Sequence, residues 1–199
     1  MTLDDLLAFV LPHVKFCPNA VARFHIRQAV IKLCEGSLVW REYQTAVATV
    51  ADQTAYSYAT AAGQRVAKLL SATIDGKDLI VSDPTLGAAS GSSQARIFGG
   101  MSGFEVRPAP AAGSSIITFA AVAPTLAATT IPDGFAQFAE EVGRGARASI
   151  MLVPDEKFTN LTLGAGLQQA FEEVDIPKVR SKAFRGFARS NPRTRSRYF

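Results

Sequence analysis

The hydrophobic and polar positions divide the chain into a helical opening, a β-rich middle and a helical end. Residues 2–11 read as a short amphipathic helix, with Thr2 where an N-cap belongs and Asp4 and Asp5 in the first turn. Pro12 stops it, and Cys17-Pro18-Asn19 makes a second break. Asn19 then caps a longer helix running to about Val39. Val21, Phe24, Val30, Leu33 and Cys34 mark its apolar face, and Arg23, Arg27 and Lys32 lie off that face. Some twenty residues give a helix of about 30 Å.

From Trp40 the texture changes to β-branched and aromatic residues. Strands are expected over 42–50 and 56–58, with a turn at Ala51-Asp52-Gln53. Residues 65–74 and 77–81, flanking Asp75-Gly76, read as a hairpin, because Asp-Gly favours the primed turn that matches strand twist. Residues 82–102 are rich in Gly, Ser and Ala and read as a long exposed loop, with a short strand at 95–98. Residues 104–108 and 115–122 supply two more strands, separated by a turn-forming stretch. The middle of the chain is therefore expected to be a small antiparallel β-lobe inserted between helices.

Pro132-Asp133 opens the next helical region, with the proline suited to a first turn. Phe135, Phe138, Ala139, Val142, Ala146, Ile150 and Met151 mark one face of a helix through Leu152, in which Gly143 and Gly145 permit close approach of a neighbour. A connector at 153–157 leads to a helix over 160–174, where Gly164-Ala165-Gly166 again suggests a tight contact. Helical character extends to about Arg185, with Pro177 expected to kink or break it. The two helices are expected to form an antiparallel hairpin beside the N-terminal helix. The fold class read from this order is α+β, with residues 1–41 and 131–184 as a helical bundle lobe, 42–130 as the inserted β-lobe and 185–199 as an extended basic arm.

Composition agrees with a globular chain. Of 199 residues, 48% are hydrophobic and 19% charged, and no apolar run reaches the ~18–20 residues that span a bilayer. The acidic start, without a basic n-region, is not that of a secretory signal, so the protein is expected to be made and retained in a cytoplasm. Catalytic signatures are missing: there is no GxGxxG, P-loop lysine, GxSxG or HExxH. Glu140-Glu141 and Glu172-Glu173 are adjacent pairs, which on a helix point in different directions. His13, Cys17, His25 and Cys34 lie within 22 positions but lack metal-site spacing, so buried thiols and ordinary histidines are the preferred reading. We therefore expect no catalytic residue, cofactor or metal.

Charge changes the picture most. Residues 178–199 hold eight Lys or Arg and no acid, and the chain has 21 basic and 17 acidic residues, so the rest carries 13 against 17. A mildly acidic body with a basic end suggests that the end touches something else. Phe184, Phe187, Tyr198 and Phe199 add apolar anchors that phosphate neutralisation would not need. On sequence alone three readings stay open: a solvated tail, a protein-docking arm and a nucleic-acid arm. No helix-turn-helix, zinc-finger or RNP signature accompanies the basic end.

The order of segments carries a resemblance. IRQAVIKLCEGSLVWRE (26–42) precedes a strand pair at 46–58. Then follow RVAKLLSATIDGKDL (65–79), FEVRPAP (104–110) and IPDGFAQFAEEVGRGARASIML (131–152). Over about residues 3–188 this resembles the head-to-tail adaptor (connector) proteins of tailed bacteriophages, especially short-tailed ones. The stretch 82–102 and the glycine-rich segment around Gly164 depart from the expected pattern. The resemblance implies a virion protein at the head–tail junction, made in the host cytoplasm. Its subunits would form a homo-oligomeric ring, usually twelvefold, between the portal protein and a tail nozzle or tail-tube protein. Viral DNA would pass through the ring without sequence-specific binding, and no membrane is involved. The resemblance further implies a C-terminal arm that lies against the portal, here Arg185, Phe187, Arg189, Arg193, Arg195, Arg197, Tyr198 and Phe199. A nucleic-acid-binding accessory protein and another tail-completion component are the alternatives.

Overall fold

A computed structural model describes residues 1–82, 95–100, 102–154 and 156–184. The fold is α+β. The short helix expected over residues 2–11 takes the form of two 3-10 helices, Asp4–Phe9 and Leu11–His13. The predicted cap is inverted, since the Asp5 carboxylate accepts from the Thr2 N–H at 2.8 Å and no Thr2 side-chain cap forms. Helix α1 runs from Asn19 to Ser37, with Pro18 at the N-cap and Leu38 in left-handed conformation (φ 56°) at its end. Its buried stripe is Ala22, Ile26, Ala29, Val30, Leu33, Cys34 and Ser37. Phe24, assigned to that face by sequence, is 48% exposed, because two residues from Ala22 is about 200° around the helix.

Eight strands follow among the described residues: β1 (Arg41–Tyr43), β2 (Val47–Ala48), β3 (Ala55–Ser57), β4 (Gln64–Ile74), β5 (Lys77–Ser82), β6 (Arg96–Gly99), β7 (Gly103–Arg107) and β8 (Ser115–Pro124). They form one sheet in the order β1-β8-β4-β5-β6-β7-β3, with β2 also on β8. The β4–β5 hairpin turns at Asp75 (φ 48°) and Gly76 (φ 77°), as the Asp-Gly pair predicts. The expectation of a purely antiparallel lobe is corrected by β5 and β6, which pair in parallel from Ile80↔Arg96 to Ser82↔Phe98. Parallel neighbours need a connection of about a dozen residues, and 83–94 supplies that length.

The second helical region begins with a 3-10 helix, Asp133–Phe138, and becomes helix α2 at Ala139–Met151. Asn160 caps helix α3 (Leu161–Ala170), its Oδ1 accepting from the Leu163 N–H at 3.1 Å. At Pro177, where a kink or break is expected, the helix is not broken but its regular form is interrupted. The chain passes through a π-helical turn, Phe171–Asp175, and continues as helix α4, Ile176–Phe184. A proline ring crowds the carbonyl four residues back, and the wider turn lies where that carbonyl belongs.

Side-chain contacts set the helix directions. Leu152 and Ala148 meet Gly164, Gly145 meets Phe171, Arg144 pairs with Asp175, and Glu141 pairs with Lys178. The α3–α4 rod is therefore antiparallel to α2, as predicted. Lys32 pairs with Glu172 and Gly36 abuts Ile176, so the rod runs parallel to α1. Two of the glycine expectations hold closely: a Cβ at Gly145 would lie 2.8 Å from the Phe171 ring, and one at Gly143 2.9 Å from Phe9. Gly166 differs, with nothing within 4 Å.

Buried apolar residues form two clusters. One gathers the N-terminal 3-10 helices, α1, α2 and the rod, with Trp40, Phe135, Phe138 and Phe171 among its members. The other lies within the sheet, around Tyr56, Leu69, Ile97, Phe104, Val106 and Ile116. Strand β8 serves both, giving Ile116 to the second and Val122 and Ala123 to the first.

Candidate functional site: the root of the basic arm

Of the residues assigned to the docking arm, Arg185, Phe187, Arg189, Arg193, Arg195, Arg197, Tyr198 and Phe199 all lie outside the described residues. The segment from which they emerge is described in full. Helix α4 carries Lys178, Arg180 and Lys182 toward solvent and buries Val179 against the helical cluster. Its final residue, Phe184, is one of the aromatics that the sequence offers as an apolar anchor. It is held by its own chain, with the Arg41 guanidinium 3.9 Å from the ring centroid and that of Arg180 at 5.9 Å. A cation over an aromatic face is attracted by the ring quadrupole, and a guanidinium also stacks flat. Lys182 lies 5.8 Å from the Phe138 ring.

Behind this root sits a band of charge between α2 and the rod. The Glu141 carboxylate is 7% exposed and accepts from Lys178 Nζ at 2.8 Å. Burial pushes its pKa upward, but the Lys178 hydrogen bond, a backbone donor and the charges of Lys178 and Lys182 outweigh this and hold it below the usual value. Asp175, in the π-turn, behaves oppositely. It is 2% exposed and accepts from Arg144 at 3.1 Å, while its Oδ2 has no hydrogen-bond partner among the described residues. Burial raises its pKa despite Arg144. Glu140, the neighbour of Glu141, turns outward to Arg147 at 2.6 Å, so the adjacent carboxylates do not face each other.

The other residues weighed for chemistry take structural places. Cys17 and Cys34 are free and buried, and burial raises both thiol pKa values. His25 Nδ1 lies 3.0 Å from Ser149 Oγ, between α1 and α2, and burial lowers its pKa. Glu172 pairs with Lys32 and Gln168, and Glu173 with Gln169. Among the described residues, no three His, Cys, Asp or Glu side chains gather as a metal site. No helix among them is long and apolar enough to cross a membrane.

Sequence reasoning missed the Arg41–Phe184 contact. Its only signal was a cation immediately after Trp40, and the partner lies more than 140 positions away. Neither a protein-family model nor a curated protein sequence matches the chain.

Proposed function

We propose that the protein is a head-to-tail adaptor of a tailed bacteriophage, a subunit of a ring that joins the portal to the tail and continues the DNA channel. The observation that carries this reading is the fixed root of the basic arm. A rod packed against two helices ends at Phe184, whose ring has the guanidinium groups of Arg41 and Arg180 at 3.9 and 5.9 Å, and 15 residues with five arginines follow. A rigid root with a long basic arm suits capture of a neighbour at a distance, since 15 extended residues reach at most about 50 Å.

The bundle lobe, with its helices side by side around the ring, would present α4 and the arm to the portal. The sheet would project outward or toward the tail nozzle or tube. Arg185, Arg189, Arg193, Arg195 and Arg197 would pair with acidic portal grooves, while Phe187, Tyr198 and Phe199 fill pockets. Buried aromatic and Arg anchors contribute about 2 kcal/mol or more each, and rim charges much less. An arm that orders on docking delays assembly until the portal is present, and repeated arms on one ring add avidity. Twelvefold symmetry, virion localisation and the identity of both neighbours rest on the segment-order resemblance.

The test is deletion of residues 185–199. The reading expects a folded body that no longer attaches to the portal ring from the same genome; a normal ring on the portal without the arm would overturn the docking role. A nucleic-acid accessory role is the second reading, favoured by the solvent-facing cations of α4 that lead into the arm. It expects duplex-DNA affinity that falls steeply with salt and depends on the arm arginines. Absence of binding at low salt removes it.

A further inference from the structure

Strands β2 and β3 are consecutive in the chain, yet they do not pair with each other. Among the described residues β2 pairs only with β8 and β3 only with β7, so they form opposite edges of the curled sheet. A cleft of ≈ 1120 Å³ lies between them, bordered by Ala46–Ala48 on one side and Ala55–Ala59 on the other. Its closed end is the short link from β2 to β3. There the Tyr56 hydroxyl donates to Gln53 O at 2.8 Å and accepts from the Val50 N–H at 3.3 Å.

Register shows which backbone groups face the cleft. Thr49 N–H donates to Ser114 O at 2.9 Å, so in the alternating antiparallel pattern Val47 also bonds toward β8. Ala46 and Ala48 therefore point their N–H and C=O groups away from it. Val106 N–H donates to Thr54 O at 2.9 Å, so Tyr56 bonds toward β7 and Ala55 and Ser57 point away, the Ala55 carbonyl accepting from Gln53 Nε2 at 2.6 Å. All four outward residues are exposed, and all four border the cleft.

Protein edges are normally guarded against pairing by charge, proline or a bulge. Here the four edge residues are three alanines and a serine, with no bulk and no charge to stop an approaching backbone. The floor is aromatic, with Tyr58, Phe98 and Phe104. Its two charges are already matched, Arg107 to Glu105 at 2.6 Å. The lining therefore carries no net charge, and an uncharged segment matches it.

We propose that this cleft accepts a strand: an extended, uncharged segment of a partner protein enters between β2 and β3 and bonds to both edges. β2 offers two residues and β3 three, about 7 and 10 Å of strand. Main-chain bonds would supply the binding, and the aromatic floor would select small apolar side chains at alternate positions. This inference does not depend on the ring reading, because it concerns only the sheet.

The experiment is residue-resolved amide exchange on the full-length monomeric protein. The probe is the neutral peptide acetyl-Gly-Thr-Val-Thr-Val-Thr-Gly-amide, compared with a peptide of residues 185–199. The free protein should exchange rapidly at Ala48 and Ser57, whose N–H groups point outward. Millimolar neutral peptide should slow both at least tenfold, and the basic peptide should not. Ala48→Pro removes an outward donor without breaking a β2–β8 bond and should abolish protection at Ser57. Should that variant misfold, Ser57→Lys guards the opposite edge and should abolish protection at Ala48. No slowing with the neutral peptide overturns the proposal. Slow exchange in the free monomer would show that the chain covers its own cleft. Protection that rises with protein concentration alone would assign the edges to a second copy. Either result also overturns the partner-strand assignment.

Discussion

The helical and sheet regions solve the packing problem in opposite ways. Among the helices, glycine lets elements approach until a single added carbon would collide, as at Gly36, Gly143, Gly145 and Gly164. The polar groups between α2 and the rod are largely paired across that contact. The sheet buries a smaller aromatic and aliphatic cluster and leaves two strand edges apart. The difference teaches where rigidity and reception belong in this chain. The helical part packs α4 up to Phe184, whereas the sheet leaves outward-pointing backbone groups at two edges.

The strongest way to break this contrast is Phe171→Ala. The ring is fully buried and faces Gly145, so its removal leaves a cavity in the tightest contact and should cost about 3–5 kcal/mol in denaturant unfolding. Gly145→Val acts on the same contact from the other side. Overpacking against the ring should cost about 1–3 kcal/mol, and pairing it with Phe171→Ala should recover part of the loss.

The charge band sharpens the comparison through pH. The Glu141 pKa is lowered in the fold, so its contribution is present above the ordinary glutamate range and is lost as pH falls through and below it. Glu141→Gln should therefore cost about 1 kcal/mol at pH 7 and progressively less in acid. The Asp175 pKa is raised, so its contribution is full below the ordinary aspartate range and lost as pH rises through the higher folded value. Asp175→Asn should compare best with the parent at pH 7 and worse as pH falls. Melting curves between pH 3 and 8 should show opposite slopes for the two variants. The smallest effect belongs to the open edge, where Ser57→Lys should change stability by no more than about 0.5 kcal/mol.

Local chemistry was the legible part of this fold. Asp75-Gly76 specified its own turn, the stripe of α1 followed helical period, and Gly143, Gly145 and Gly164 announced close contacts before any partner was known. Features that depend on distant parts of the chain were not legible. The parallel β5–β6 pairing is a choice of neighbour that no local pattern encodes. The π-turn is a compromise between Pro177 and the packing of Phe171 and Asp175. The opening segment has a helical pattern and forms 3-10 turns, with Phe9 packed against Gly143. For the candidate site, the basic character of the end was plain in the sequence, while the hold of Arg41 on Phe184 was not. The splayed edges were equally hidden, although alternate small residues at 46, 48, 55 and 57 are their trace in the sequence.

The central claim, that this chain adds a ring to a portal, is tested most directly by mass photometry of the purified protein mixed with the portal ring from the same genome. The account predicts that each portal gains close to twelve copies of the 21.2 kDa chain. A portal whose mass does not change would contradict it.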